Sequence, residues 1–259
     1  MSEITARWPH VPSSTTDWLR ELEDDGLTGF MPPPMPDAVW VLNAMYEHER
    51  GPAAMSYDDL HRAQVADGSA APHRVGDLDL TQAGTVTGGG LGRAEHPGPG
   101  WRRLRWSQLA LRTGDPVVPE GLLPSYRCFP STHKNGSWPL SIAPPTEGSL
   151  DRPTWNRLIE ILTAHSPAGA DTHCLAYYSP LMLGALDLDT FYVQAGRLGD
   201  ATLLYDNPEV DFTPANLWAQ DRSWVICTDY DLWATKVAGP PELTEALLKD
   251  TEIEALRLP

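Results

Sequence analysis

The sequence predicts an α+β protein: a mostly antiparallel sheet with helices packed on one face, after a helical and loop-rich N-terminal half. Three observations lead there. Residues 223–228 and 232–237 are apolar runs, each with a tryptophan, joined by the acidic turn Asp229-Tyr230-Asp231. A helical pattern opened by Gly239-Pro240-Pro241 follows them. Upstream, a helical pattern from Asp151 is followed by strand-like runs at 173–178, 190–195 and 201–205. Helix, strands in sequence and helix again is the order of an α+β arrangement. The expected division is a helical, loop-rich region over 1–147 and an α+β domain over 148–259, with one continuous domain as the alternative.

Each element has its own signal. Asp17 to Gly26 reads as a short helix, capped by Thr16 or Asp17, with Trp18, Leu19 and Leu22 on one face. Met31-Pro-Pro-Pro-Met-Pro36 is a stiff connector. Asp37 is positioned to cap a second helix over 38–49, because Val39, Trp40, Leu42, Met45 and Tyr46 recur at helical spacing. Residues 57–65 suit another short helix. The stretch 66–100 is rich in Gly and Pro and reads as a loop with one strand over 78–86. Ser107 to Arg112 is helical, with Gly114 as its stop. Residues 115–147 read as irregular structure with short strands. Asp151-Arg-Pro153 opens the clearest helix, with Trp155, Leu158, Ile159 and Leu162 on one face. A final helix starts at Pro241, and Ile253, Leu256 and Leu258 complete a terminal turn or strand.

Composition narrows the function. Nineteen Lys and Arg against 35 Asp and Glu give a formal charge of −16. Such a surface repels phosphate backbones and anionic lipid, so neither nucleic acid nor membrane is an expected partner. A basic protein is. Arg93, Arg102, Arg103, Arg105 and Arg112 form a local basic island beside only Glu95, suited to internal pairing or to an anionic group. The three cysteines, Cys128, Cys174 and Cys227, form no C-x-x-C, so neither a disulfide framework nor a zinc finger is implied. The first eight residues lack the pattern of a signal peptide, and no run approaches the ~18 apolar residues of a membrane span. Cytoplasmic residence is expected by elimination. The sequence leaves oligomeric state open.

The stretch from Asn216-Leu-Trp218 through Asp221-Arg-Ser-Trp224 and the acidic turn to Thr235-Lys-Val237 carries a resemblance, as do the helix from Ser149 and the strand from His173. Together they resemble the C-terminal signature of a set of uncharacterised actinobacterial proteins, over residues 149–258. That resemblance implies no activity. In size, acidity and tryptophan use the chain is similar to small immunity proteins of bacterial toxin systems.

The candidate chemistry is thin. Asp229-x-Asp231 after a strand can hold Mg²⁺ or Mn²⁺ through two convergent carboxylates; the same pattern is also ordinary hairpin bend chemistry. Asp187-x-Asp189 and Asp77-x-Asp79 are weaker versions. The run Gly88-Gly-Gly-Leu-Gly92 lacks the Gly-Lys-Ser/Thr ending of a phosphate loop. Cys128 with His133 is the spacing open to a thiolate pair; Cys174 and His173 are adjacent on a strand and face opposite ways. Trp224 and Trp233 suit one sheet face if their strands pair.

The reading that follows is a non-enzymatic, cytoplasmic protein-binding module of immunity or interaction type, with no cofactor. It expects Asp221, Asp229 and Asp231 to steer a basic partner, and Trp218 and Trp233 to anchor it. The alternative is an enzyme or small-ligand binder with a pocket near Asp229 and Asp231.

Overall fold

The computed structural model describes residues 3–20, 26–72, 74–75, 78–79, 89–133, 137–185 and 191–258. The elements run α1 (Glu3–Arg7), α2 (Asp17–Arg20), β1 (Asp37–Leu42), β2 (Met45–His48), α3 (Tyr57–Ala66), β3 (Arg74–Val75) and β4 (Leu78–Asp79). Then come β5 (Trp101–Leu104), α4 (Trp106–Thr113), β6 (Ile142–Ala143), α5 (Arg152–Ala164), β7 (His173–Tyr178) and β8 (Tyr192–Arg197). The chain ends with β9 (Asn216–Ala219), β10 (Val225–Thr228), β11 (Ala234–Gly239), α6 (Pro241–Lys249) and β12 (Ala255–Leu256). The class is α+β with mostly antiparallel sheets.

Two compact units emerge. The first comprises Met1–Asn43, Leu91–Glu95 and Thr146–Pro259; the second comprises Ala44–Gly90 and His96–Pro145. The boundary expected between 147 and 148 lies close to the Thr146 edge. The first 43 residues nevertheless belong with the C-terminal unit, because β1 is an interior strand of its sheet.

The sheet of the first unit has seven strands in the order β12-β1-β11-β10-β9-β7-β8, and every pairing is antiparallel. Both faces are covered. One buries Val39, Val41, Cys174, Ala176, Leu217 and Ile226 against Trp155, Leu158 and Leu162 of α5 and Leu243 and Leu247 of α6. The other buries Leu175, Tyr177, Trp218 and Val225 against Leu19, Phe30, Met182 and Phe212. Residues 9–11 bond to the outer edge of β8: Val11 N–H donates to the Val193 carbonyl at 3.0 Å and Ala195 N–H to that of Pro9 at 3.0 Å. The exposed ladder edge is thereby blunted.

The second unit holds a three-stranded sheet, β5-β2-β6, and a two-stranded β3-β4 ribbon. Trp106, Phe129 and Trp138 are fully buried there, with ring centroids 5.3 Å and 6.2 Å apart in that order. Ser56 and Asp59 form a capping box at the start of α3, and Gly114 ends α4 in the left-handed conformation at φ 79°.

Several elements differ from expectation. The helix expected over 38–49 is two strands, β1 and β2. Because β1 is covered on both sides, Ala38 and Val39 are apolar at adjacent positions and the alternation of a half-buried strand is lost. What remains resembles helical spacing, yet Val39 and Val41 are β-branched and every residue of β1 pairs with β11. Asp37 caps nothing; its carboxylate takes Arg257 and Thr244 instead. The strand expected over 201–205 lies in a 3-10 helix, Leu198–Asp206, that buries Leu198, Ala201 and Leu204 at its three-residue period. The strand β9 was not anticipated. The hairpin strands are present, shifted to β10 and β11. Residues 21–25, and all but 78–79 of the strand expected over 78–86, lie outside the described residues.

Gly196 shows how tightly the N-terminal segment packs. A Cβ there would stand 2.5 Å from the Trp8 ring and 2.9 Å from the Arg7 carbonyl oxygen. Gly196→Ala is therefore expected to cost about 1–3 kcal/mol by overpacking, and to loosen α1. Urea unfolding checks the first effect, and accelerated tryptic cleavage at Arg7 the second.

Asp37 predicts a pH dependence. Hydrogen bonds from Arg257 and then Thr244 hold its carboxyl well below the usual carboxylate range. Stabilisation from a depressed carboxyl is present above the unfolded value and lost on acidification through about pH 4 and below. Asp37→Asn should cost about 1 kcal/mol at neutral pH. Denaturation at a series of pH values should show that gap closing on acidification.

Candidate functional site

The residues singled out in the sequence are carried by β9, β10, β11 and the turns between them. Hairpin geometry separates them. Asp221 lies in the β9–β10 turn, whereas Asp229 and Asp231 lie in the β10–β11 turn at the other end of β10.

The tryptophans are interior. Trp218 and Trp233 are each only 2% exposed, so neither indole is available to anchor a partner. Trp218 packs edge-on against Trp18 at 6.2 Å. Trp224 belongs to the opposite face and donates its Nε1–H to Ser166 Oγ at 2.8 Å. The register pairs Val225 with Ala238 and Thr228 with Thr235, so Trp224 and Trp233 flank opposite ends of the ladder rather than meeting on one face.

At the β9–β10 end, Asp221 Oδ1 accepts from the Ser223 N–H at 3.0 Å and its hydroxyl at 2.7 Å. The next residue, Arg222, is left-handed at φ 60°, with its guanidinium 5.0 Å from the Trp18 ring centroid. A cleft of about 350 Å³ opens beside this turn, bordered by Asp221, His173, Asp171 and Thr172. Asp171 is engaged by Arg197. Behind the cleft, burial first and Asp221 second push the Cys174 thiol up to about 12, where it is no nucleophile. Cys128 is likewise pushed up by burial, and His133 spends Nε2 on the Cys128 carbonyl oxygen at 2.8 Å. The Cys128–His133 spacing therefore forms no thiolate pair.

The β10–β11 end is built around a strap over residues 26–30. Asn216, wholly buried, grips the strap by its backbone. Its Oδ1 accepts from Phe30 N–H at 2.7 Å, and its Nδ2 donates to the Phe30 carbonyl at 2.7 Å and the Ile226 carbonyl at 3.0 Å. Tyr177 donates its hydroxyl to the Gly26 carbonyl at 2.9 Å. Asp229 holds the middle: its Oδ2 accepts from the Thr28 hydroxyl at 2.8 Å, and its Oδ1 from Asp231 N–H at 2.9 Å. Both of its oxygens are thus engaged in fixing the bend. Among the described residues no group of three or more His, Cys, Asp or Glu side chains is placed to hold a metal ion.

Beyond the bend lies an acidic corner that the sequence did not disclose. Asp231 is exposed, and the Glu147 carboxyl is pushed up first by its own burial and second by the Asp231 charge. Tyr230, between Asp229 and Asp231 in the same turn, stacks on Phe212 at 5.5 Å. Its hydroxyl is pushed up by burial, Asp231 and Glu147. Among the described residues neither Glu147 nor Asp231 has an ion-pair partner. A second chain segment closes in behind, where Gly92 N–H donates to the Glu147 carbonyl at 2.9 Å. A Cβ on Gly92 would lie 2.5 Å from the Asp211 carbonyl oxygen. Gly92 of the glycine run thus serves close backbone approach. Gly88 and the pair Asp187 and Asp189 lie outside the described residues, as does Asp77.

No helix among the described residues is long and apolar enough to cross a membrane. No family model, curated protein or solved structure matches the chain.

The Asn216 clasp yields a direct test. Asn216→Ala strips the Phe30 N–H and carbonyl of their partner inside the core. It should cost about 2–3 kcal/mol and release the strap. Chemical denaturation reads the first effect, and faster hydrogen exchange at Phe30 the second.

Proposed function

We propose that the chain is a cytoplasmic, non-enzymatic protein-binding module of the immunity or interaction type, and that its partner is a basic protein rather than a nucleic acid. The observation that carries this reading is the Glu147–Asp231 corner. A half-buried carboxyl beside a second carboxylate is held at a cost in the isolated chain. An arriving guanidinium or ammonium group would neutralise both, and the ring of Tyr230 offers a face for it to stack on. The net charge of −16 would steer such a partner from a distance. Asp231 keeps its role in this reading, and Asp221 contributes to the field from the far turn. Asp229 becomes the residue that holds the bend in place. The tryptophans have no contact role, being core residues.

The test is association at low salt. The chain immobilised on a support should retain a basic protein from cells that contain it, and release it as salt screens the contact. Glu147→Gln and Asp231→Asn should each weaken the isolated pair by about tenfold or more. The same Glu147→Gln change should raise the melting temperature of the free chain at neutral pH. A carboxyl with a raised value favours the folded state only while protonated, and that benefit is lost as pH rises through it. Failure to retain any basic protein, or retention that the double variant leaves intact, would refute the proposal.

A further inference from the structure

The cleft of about 350 Å³ in the first unit lies at the open end of the β7–β9 ladder. Its lining includes Thr172, His173, Gln220 and Asp221, with Pro167 and Ala168 as apolar members. The register that pairs Cys174 with Ala219 runs one step further, where Gln220 N–H donates to the His173 carbonyl at 2.9 Å. His173 and Gln220 therefore stand opposite each other at the end of the ladder. Both are exposed, as is Asp221 in the turn that follows.

Thr172 is the anomaly of this cleft. It is only 7% exposed, and its backbone is fully bonded. The N–H donates to the Gly169 carbonyl at 3.1 Å, and the carbonyl accepts from Leu198 N–H at 2.9 Å. Its hydroxyl is buried and has no hydrogen-bond partner among the described residues. A buried hydroxyl left unpaired opposes folding, so a partner from outside the chain is the explanation that gives it a use. The charge of the cleft is open as well. Asp171 is engaged by Arg197. Asp221 uses Oδ1 for both Ser223 bonds, while its Oδ2 has no bond and the residue no ion pair among the described residues. Its charge also reaches inward, as the second cause, after burial, of the raised Cys174 thiol. With histidine counted as neutral, one uncompensated carboxylate stands beside one unpartnered hydroxyl.

We propose that this cleft binds a small organic primary amine by its ammonium group. Asp221 Oδ2 and the Thr172 hydroxyl would accept from the ammonium, Gln220 would offer a further acceptor, and Pro167 and Ala168 would pack against the organic part. An ammonium has three donors, no acceptor and one positive charge, which matches one free carboxylate beside neutral acceptors. A neutral alcohol would forgo the charge-assisted bond to Asp221. An anion would meet Asp221 and the field of a chain with net charge −16. The volume is near the lower end of the ~300–1,000 Å³ range of small-ligand pockets, which suits a compact molecule rather than a peptide. Asp221 is at the opposite end of β10 from Asp231, so the site needs nothing from the acidic corner or from the protein-binding reading.

Amide NMR titration of the full chain tests it, with benzylamine, benzyl alcohol and benzoate as probes of one ring and three charges. Benzylamine should move the Thr172, Gln220 and Asp221 resonances saturably, and the other two should leave them in place. Asp221→Asn keeps the oxygen that Ser223 uses and should weaken benzylamine by about tenfold or more. Thr172→Val replaces the hydroxyl with a methyl group of like shape. It should weaken benzylamine by about threefold or more, while the melting temperature of the free chain holds or rises because no bond is lost. A hydroxyl that served only the fold would give the reverse, a lower melting temperature with binding undiminished. Circular dichroism establishes that each variant is folded; if Thr172→Val is not, the exposed Asp221→Asn decides alone. The proposal is overturned if benzylamine gives no saturable shift, if benzyl alcohol or benzoate binds as well, or if Asp221→Asn or a folded Thr172→Val binds undiminished.

Discussion

The constraint on which the first unit depends is that its seven-stranded sheet is buried on both faces. α5 and α6 cover one side; the strap, α2 and the segment around Phe212 cover the other. A sheet enclosed in this way draws apolar side chains to both of its faces. Trp218 therefore lies on one face and Trp224 on the other, and neither reaches solvent. Buried polar groups then have to be bonded in place, as an unpaired amide inside a core costs as much as a lost hydrogen bond. Trp155 gives its Nε1–H to the Ala201 carbonyl at 3.2 Å and Trp224 gives its own to Ser166. Asn216 answers the same demand on behalf of the strap. With strands and indoles committed to the interior, the turns are what the sheet has left to present.

Charge is arranged in the same spirit, as closed and open groups. Arg157 bonds Asp250 through two nitrogens at 2.9 Å and 2.8 Å, on a carboxylate that is almost wholly covered. Arg257 ties Asp37 to Glu245 and so fastens the C-terminal residues to β1 and α6. These groups are complete within the chain and contribute to its architecture. The basic island is not one feature. Arg93 belongs to the first unit and bonds Asp211, whereas Arg102 and Arg112 share Glu47 in the second. Among the described residues the corner at Glu147 has acid without base. In a chain this acidic an exposed unpaired carboxylate is unremarkable; a half-buried one pressed by a second is not.

What the sequence disclosed follows from where a signal is local. The helix at Asp151 was legible because Pro153, Trp155, Leu158 and Leu162 state its start and its face within one short segment. The β10–β11 hairpin was legible from two apolar runs about a three-residue acidic turn. The strand β1 was not, because its partner β11 lies some two hundred residues away, and burial on both sides erased the period that marks a strand. The 3-10 helix at Leu198 hid in a pattern of Leu and Ala that suits a strand equally well. Among the site residues, Asp229 and Asp231 were legible as a bend but not in their different roles. The difference arises from Thr28 and Glu147, both distant in sequence. Asn216 was visible as a letter in a motif, and only the strap explains why an asparagine stands there.

On the proposed reading the corner has a reason to keep an arrangement that weakens the chain. Like charges held close together oppose folding, and a glutamine at 147 would relieve them at no loss of volume. The supporting structure moves the other way. Asp229 has both oxygens bound, the strap is held at three places, and Gly92 lets a further backbone segment close in behind Glu147. Rigid support under an unfavourable charge pair is the form the proposed site would take, its counter-charge coming from a partner. In that proposal, binding would cost little to order the acidic groups and would relieve the repulsion between them.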